Sequence, residues 1–328
     1  MKSFEHHQAR TLDEAIHLLE RYEGKAKLNA GGTDLLGLLK ADILPEYPEA
    51  VINIKTIRDL DEIHEEGGGL RIGSLTRLVD IVESPLIRRR YPLLVETAMS
   101  IGSPQIRNIA TLGGNLCQEV RCWYYRYPTH IGGPIPCSRK ENGPCLAVTG
   151  DHRYHAIMGG KGCFAVCPSD MATALAALNA RILICGPGNQ REIPVMDFYH
   201  PQRNDLKKSE IVKEILIPSL PWPTKQKFIK FTLRRPIDFA IVSVATLLAF
   251  DGGRVSNASI ALGAVSPTPL RAYEAEKRLI GSSISENILQ EVGEIALMGA
   301  RPLSQNGYKL QLAKTLIKRA IQDCWESV

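Results

Sequence analysis

Six of the eight cysteines fall between residues 117 and 167, and their spacing is the first feature with chemical content. Cys122, Cys137, Cys145 and Cys163 read as C-x14-C-x7-C-x17-C, with Pro136, Pro144, Gly159 and Gly160 available to turn the backbone so that several thiolates face one centre. Buried free cysteines act as small hydrophobes, but Cys137 and Cys145 sit in a polar stretch rich in Pro, Gly and Lys, where packing does not account for them. Four thiolates suit zinc, although structural zinc sites usually show closely paired cysteines, absent here. Long gaps through irregular chain suit an iron–sulfur cluster as well. On spacing alone both metals stay open. Cys117 and Cys167 are surplus to a set of four. Cys117 follows a glycine loop, and Cys167 closes an expected short strand, 164–166, whose straight course would hold it roughly 13 Å from Cys163.

A second chemistry is anion binding. Ala30-Gly31-Gly32-Thr33-Asp34 follows an expected strand, 26–29, and precedes an expected helix, 35–40. Without Cβ atoms the backbone can approach a phosphate closely and offer it free N–H groups. One such loop is more often a plain turn. A second glycine pair, Gly113-Gly114, flanked by Thr111 and Asn115, changes the reading to two loops clasping one pyrophosphate. Neither loop has the G-x-G-x-x-G spacing, so a Rossmann site is not indicated.

The elements that must hold these residues follow from pattern. Thr11 and Glu14 have capping-box spacing before a helix, 12–22, that Gly24 can end. Strands are expected at 26–29, 50–54, 70–73, 181–185 and 210–218, and helices at 77–83 and 93–99. Ser169 is the natural N-cap of a helix running to 178, and Asp170 in its first turn reads equally well as a dipole partner or a ligand contact. The stretch 220–224, with Pro221 and Pro223, reads as a linker. Beyond it strands at 227–233, 240–250 and 254–264 suit an antiparallel sheet with a hairpin at Asp251-Gly252-Gly253, and amphipathic helices are expected at 270–279, 286–298 and 308–325.

Composition bounds the function. A chain of 328 residues, 44% hydrophobic and 23% charged, is long enough for two or three domains with buried cores. The net charge of +5 has no basic block behind it, Arg88-Arg89-Arg90 being the densest run, so nucleic-acid binding is not indicated. No signal-peptide pattern opens the sequence and no apolar run reaches the roughly 20 residues of a membrane span. A cytoplasmic location is therefore expected, where dense cysteines are more often metal-binding or catalytic than disulfide-linked.

Together the two glycine loops, the stretch 106–115, Pro168-Ser169-Asp170, the stretch 235–240 and the stretch 263–272 resemble the FAD-binding medium subunit of molybdenum hydroxylases. That group includes the xanthine and carbon monoxide dehydrogenases. The cysteine insert resembles a subset with an extra 4Fe-4S cluster, such as 4-hydroxybenzoyl-CoA reductase and periplasmic aldehyde oxidoreductase, and so favours the cluster over zinc. The resemblance implies an α+β fold: a two-subdomain FAD-binding domain of the PCMH or vanillyl-alcohol-oxidase type, 1–55 and 56–218 with the insert at about 117–167, then a C-terminal α/β domain of antiparallel sheet plus helices, 225–328. It implies FAD held by Asn29, Ala30, Gly31, Gly32, Thr33 and Asp34 and by Ile106, Asn108, Thr111, Gly113, Gly114 and Asn115, with Ser169 and Asp170 near its ribityl or adenosine portion. Cys122, Cys137, Cys145 and Cys163 would hold the cluster. The chain would carry electrons in a dimer of heterotrimers with a molybdenum-cofactor large subunit and a 2Fe-2S small subunit, exchanging them with an external carrier such as ferredoxin or NAD. No catalytic acid–base pair is nominated. A zinc-stabilised binding module and a stand-alone FAD oxidoreductase are the alternatives.

Overall fold

The computed structural model describes residues 1–220 and 223–326. The helix Leu12–Arg21 starts where expected: the Thr11 hydroxyl accepts from the Glu14 N–H at 3.1 Å, while the Glu14 carboxylate reaches past Thr11 to the Arg10 N–H at 2.8 Å. Its face of Ala15, Ile16 and Leu19 packs on a parallel sheet in which Ala50–Asn53 lies between Glu5–Gln8 and Ala26–Asn29. Parallel pairing needs a crossover connection. The first glycine loop lies on that connection, between Ala26–Asn29 and the helix Leu35–Ala41.

A five-stranded sheet follows, ordered Ile63–Glu66, Gly69–Gly73, Ile211–Ile217, Arg181–Gly186, Asn189–Pro194. Its neighbours all run antiparallel. Sequence pattern found the three inner strands and missed the two short, polar edge strands. Apolar side chains of Pro92–Met99 and Asp170–Ala177 join this sheet in one core.

The third sheet is antiparallel: Thr224–Phe231, Val242–Asp251, Arg254–Gly263 and the two-residue strand Leu270–Arg271. Asp251 pairs with Arg254 around Gly252 and Gly253, whose φ values of +54° and +79° make the expected hairpin turn. Residues 270–271, expected to open a helix, pair with Ala261 and Leu262 instead, and the helix starts at Tyr273. The helices Glu286–Ala296 and Tyr308–Glu326 complete this core. Of the expected linker 220–224, residues 221 and 222 lie outside the described residues.

Helix Asp170–Ala177 is shared by the second and third sheets. The Ser259 hydroxyl donates to the Ala177 carbonyl, Arg271 Nη1 donates to the Ala176 carbonyl at 2.8 Å, and Lys230 Nζ pairs with Asp170 at 2.7 Å. The insert forms three short 3-10 turns, Thr129–Ile131, Ser138–Lys140 and Leu146–Val148, in otherwise irregular chain. The expected strand at 164–166 does not form. The Ala156 N–H donates to the Phe164 carbonyl at 2.8 Å and the Cys167 N–H to the Ser266 carbonyl at 3.1 Å, so single tethers replace a ladder.

Candidate functional site

The two glycine loops meet. A Cβ on Gly31 would stand 2.2 Å from the Ile109 carbonyl oxygen, so this glycine is required by the close approach of the second loop's backbone. Gly32, at φ +70°, makes the turn itself. Gly113 packs on Ser74, where a Cβ would come within 2.8 Å of the Ser74 side chain. Gly114 differs: only Thr111 Oγ1, which already accepts its N–H at 3.1 Å, lies near its missing Cβ.

Ala30 to Leu35 and Thr111, Gly113 and Gly114 line one cavity of about 440 Å³, with Lys27, Lys207 and Lys208 on its walls. Sequence reading missed these lysines, which carry no motif. Asn29, just before the loop, has a buried Oδ1 without a hydrogen-bond partner. Asn115 and Ser169 are buried and bonded to each other at 2.7 Å, and the Ser169 hydroxyl accepts from the Ala172 N–H as expected of an N-cap. Asp170 is buried against Lys230 across the domain boundary, a role neither of the two sequence readings contained. Ile106 and Asn108 are exposed and are not on the cavity wall.

Asp34 faces the insert. Its carboxylate takes Arg121 Nη1 and Arg126 Nη2, each at 2.7 Å, and accepts the Glu119 N–H at 2.8 Å. Burial lowers the Arg121 pKa to about 10, against the opposing pull of Asp34. Arg121 also lies over the Phe239 ring at 4.4 Å and lines a second, apolar cavity of about 300 Å³ with Cys122, Trp123, Tyr154, His155 and Phe239 among its walls. The two cavities therefore meet at the Asp34–Arg121 pair.

The cysteines divide into two groups. Cys137 and Cys163 are buried in one small cluster with Val120, Tyr125 and Ala165, and Cys122 packs against it. Burial raises the Cys122 pKa to about 11, and the neighbouring Cys137 and Cys163 add to the rise; Cys163 is raised by burial and, less, by Cys145 and Cys137. Backbone N–H groups of Tyr124 and Tyr125 oppose this at Cys122, and that of Ala165 opposes it at Cys163, by favouring the thiolate. Lys140 faces Cys137 and Cys122. Cys117 and Cys167 are raised to about 12 by burial and flank Tyr199 instead. Among the described residues no three His, Cys, Asp or Glu side chains are arranged to hold a single metal ion.

Two groups beside the cysteines were not singled out from sequence. His155 Nε2 lies 3.3 Å from Cys122 Sγ, and burial, then the charge of Lys309, lowers its pKa to about 4. Lys309 is fully buried, and Nζ donates to the carbonyls of Tyr154 at 3.3 Å, His155 at 3.1 Å and Ala264 at 2.5 Å.

Residues 2–220 match the family described as the FAD binding domain in molybdopterin dehydrogenase, and residues 227–324 match the CO dehydrogenase flavoprotein C-terminal domain. The aldehyde oxidoreductase FAD-binding subunit PaoB of Escherichia coli K12 is 35% identical over 98% of both chains. The carbon monoxide dehydrogenase medium chain of Hydrogenophaga pseudoflava is 28% identical over 98% of this chain and 97% of its own. A solved structure of carbon monoxide dehydrogenase from that organism, lacking the Mo-pyranopterin moiety of the molybdenum cofactor, superposes with a TM-score of 0.78 at 28% identity, covering 99% of this chain and 98% of that one.

Proposed function

The chain belongs to the family of FAD-binding subunits of molybdopterin dehydrogenases, and from that membership we propose that it is the flavin- and iron–sulfur-carrying electron-transfer subunit of a molybdenum hydroxylase. The observation that carries this is the meeting of the two glycine loops at Gly31 and Ile109 on the wall of one cavity. A dinucleotide pyrophosphate needs close backbone and several short donors. Gly32 and Thr33 and the Thr111 hydroxyl offer that character, the Gly114 N–H being taken by Thr111 Oγ1, and Lys27, Lys207 and Lys208 add positive charge around it. The orphaned Asn29 Oδ1 is a polar atom awaiting a donor at the same loop. The apolar cavity beyond Arg121 is the fitting place for a planar ring.

When bound, FAD exchanges electrons in pairs or singly, which lets two-electron chemistry feed one-electron carriers. The chain's residues bind and orient it: the loops hold the diphosphate, and Asp34, clamped by Arg121 and Arg126, fixes the first loop against the insert.

Cys122, Cys137, Cys145 and Cys163 would hold a 4Fe-4S cluster. Their fit rests on the burial of Cys137 and Cys163 together with Cys122 packed against them, on the electrostatic reach of half-buried Cys145 to Cys163, and on backbone N–H groups favouring the thiolate at Cys122 and Cys163. A cuboidal cluster gives each thiolate its own iron, so its ligand set is wider than one gathered on a single ion. No disulfide joins any of the eight cysteines, which suits a reducing, cytoplasmic setting, and no helix among the described residues is long and apolar enough to cross a membrane.

Substrate chemistry then belongs to a molybdenum-cofactor large subunit, reached through a 2Fe-2S small subunit, in a dimer of heterotrimers that hands electrons to or takes them from ferredoxin, NAD or another carrier. The test is isolation from the native host under mild conditions. Recovery with both partner subunits is expected, and an active, fully loaded single chain would refute the assignment.

A further inference from the structure

Among the described residues, His155 is the one imidazole that contacts a cysteine sulfur, at 3.3 Å from Nε2 to Cys122 Sγ. A cysteine sulfur that has lost its proton can only accept, so the proton of the imidazole belongs on Nε2. Nδ1 is consistent with this: it is buried without a partner, which a bare lone pair tolerates better than an N–H without an acceptor. The ring is held in that orientation by aromatic packing, Trp123 edge-on at 5.4 Å and Tyr124 tilted at 6.1 Å.

The backbone of the same residue is held from the C-terminal domain. The His155 carbonyl accepts from Asn306 Nδ2 and from Lys309 Nζ, both at 3.1 Å, and both donors are fully buried. The acceptors of Lys309 Nζ at Tyr154, His155 and Ala264 are carbonyl oxygens, not carboxylates. A buried ammonium group is costly without a countercharge. A four-thiolate iron–sulfur cluster is a net anion, and one held by Cys122 would lie beyond the residue that Lys309 holds.

We infer that His155 is a positioning and potential-setting residue of the metal centre, donating an Nε2–H hydrogen bond to the sulfur of Cys122, and that Lys309 locks it in place while supplying buried positive charge. This rests on the cluster reading above. Hydrogen bonds to cluster sulfurs and nearby positive charge favour the reduced, more negative state and so raise the reduction potential. Removing either group therefore lowers it. A role confined to packing would leave the potential where it was.

The test uses the complex purified with its iron in place. First, the wild type labelled with 15N-histidine is reduced and examined by pulsed EPR. A weak hyperfine coupling to one histidine nitrogen is expected, too small for direct ligation, and its absence would overturn the hydrogen bond without requiring any variant to fold. Second, EPR-monitored redox titrations compare wild type, His155→Gln, His155→Leu and Lys309→Met. His155→Leu and Lys309→Met should shift the midpoint to more negative values, and His155→Gln, which keeps an N–H donor, should restore part of the shift. Unchanged midpoints in iron-replete His155→Leu and Lys309→Met would overturn the potential-setting role. A wild-type complex with no 4Fe-4S EPR signal and no iron beyond that of its 2Fe-2S clusters would instead sink the cluster reading, and the inference with it.

Discussion

A buried thiol is a poor ligand until it loses its proton, and burial holds Cys122 and Cys163 above the ordinary thiol range. Cys122 and Cys163 have backbone N–H donors turned toward their sulfurs and other cysteines beside them. Cys167 also has a backbone N–H near its sulfur, from Ser169, but it is buried and lies by Asp170, whose negative charge disfavours a thiolate. Cys167→Ser should therefore keep about the wild-type iron content and cluster EPR signal, whereas Cys163→Ser should lose or degrade both with FAD retained. Iron analysis with low-temperature EPR decides it, and the reverse pattern would show that Cys167 is the ligand. Sequence grouped Cys137 and Cys145 with Cys122 and Cys163 because their polar, turn-rich surroundings offer no packing partners, whereas the folded chain buries Cys137 among Val120, Tyr125 and Ala165. His155 was not legible: a histidine in an irregular loop carries no periodicity, and its relation to Cys122 exists only once the chain has folded back across 33 positions.

At the scale of elements, helix Tyr308–Glu326 does more than cover its sheet, since its second residue reaches into the insert. Burial lowers the Lys309 pKa from 10.5 to about 7. Between those values the unfolded chain holds a proton that the folded chain has released, so the stability of the metal-free chain should rise with pH above about 7. For one group the slope is at most about 1.4 kcal/mol per pH unit. Buried thiols raised to about 12, those of Cys117, Cys167 and Cys324, act in the opposite sense once unfolded cysteines ionise, above roughly pH 8.5. The window of pH 7 to 8.5 thus isolates the lysine. Urea denaturation across it should show a rise in stability that Lys309→Met lacks, and equal slopes in the two proteins would refute the assignment. Apolar periodicity located this helix from sequence, but the same pattern makes a lysine in its first turn look like a solvated one. Its burial depends on the carbonyls of 154, 155 and 264, which belong to other parts of the chain.

At the scale of the molecule, three sheets are joined at two places that also border the candidate cofactor sites. Lys230 and Asp170 tie the C-terminal sheet to the central helix, and Asp34 ties the first glycine loop to the insert through Arg121 and Arg126. The strands of the first two units and the C-terminal antiparallel sheet with its hairpin were legible because strand length, glycine turns and helix periodicity are local signals. The polar edge strands 63–66 and 189–194 were not, since their pairing comes from neighbours and not from their own apolar pattern. The junctions were equally hidden, because Asp34 reads as a phosphate-loop residue and shows its arginine partners only in three dimensions. The Asp34–Arg121 junction brings the glycine-loop cavity and the apolar cavity together, with Cys122 on the wall of the latter, as the proposed path from flavin to cluster would require. The most direct measurement is the visible spectrum of the anaerobically purified chain with flavin, iron and zinc quantified: the account predicts flavin peaks over a broad iron–sulfur shoulder, with one FAD and about four irons per chain, whereas a colourless protein carrying one zinc would contradict it.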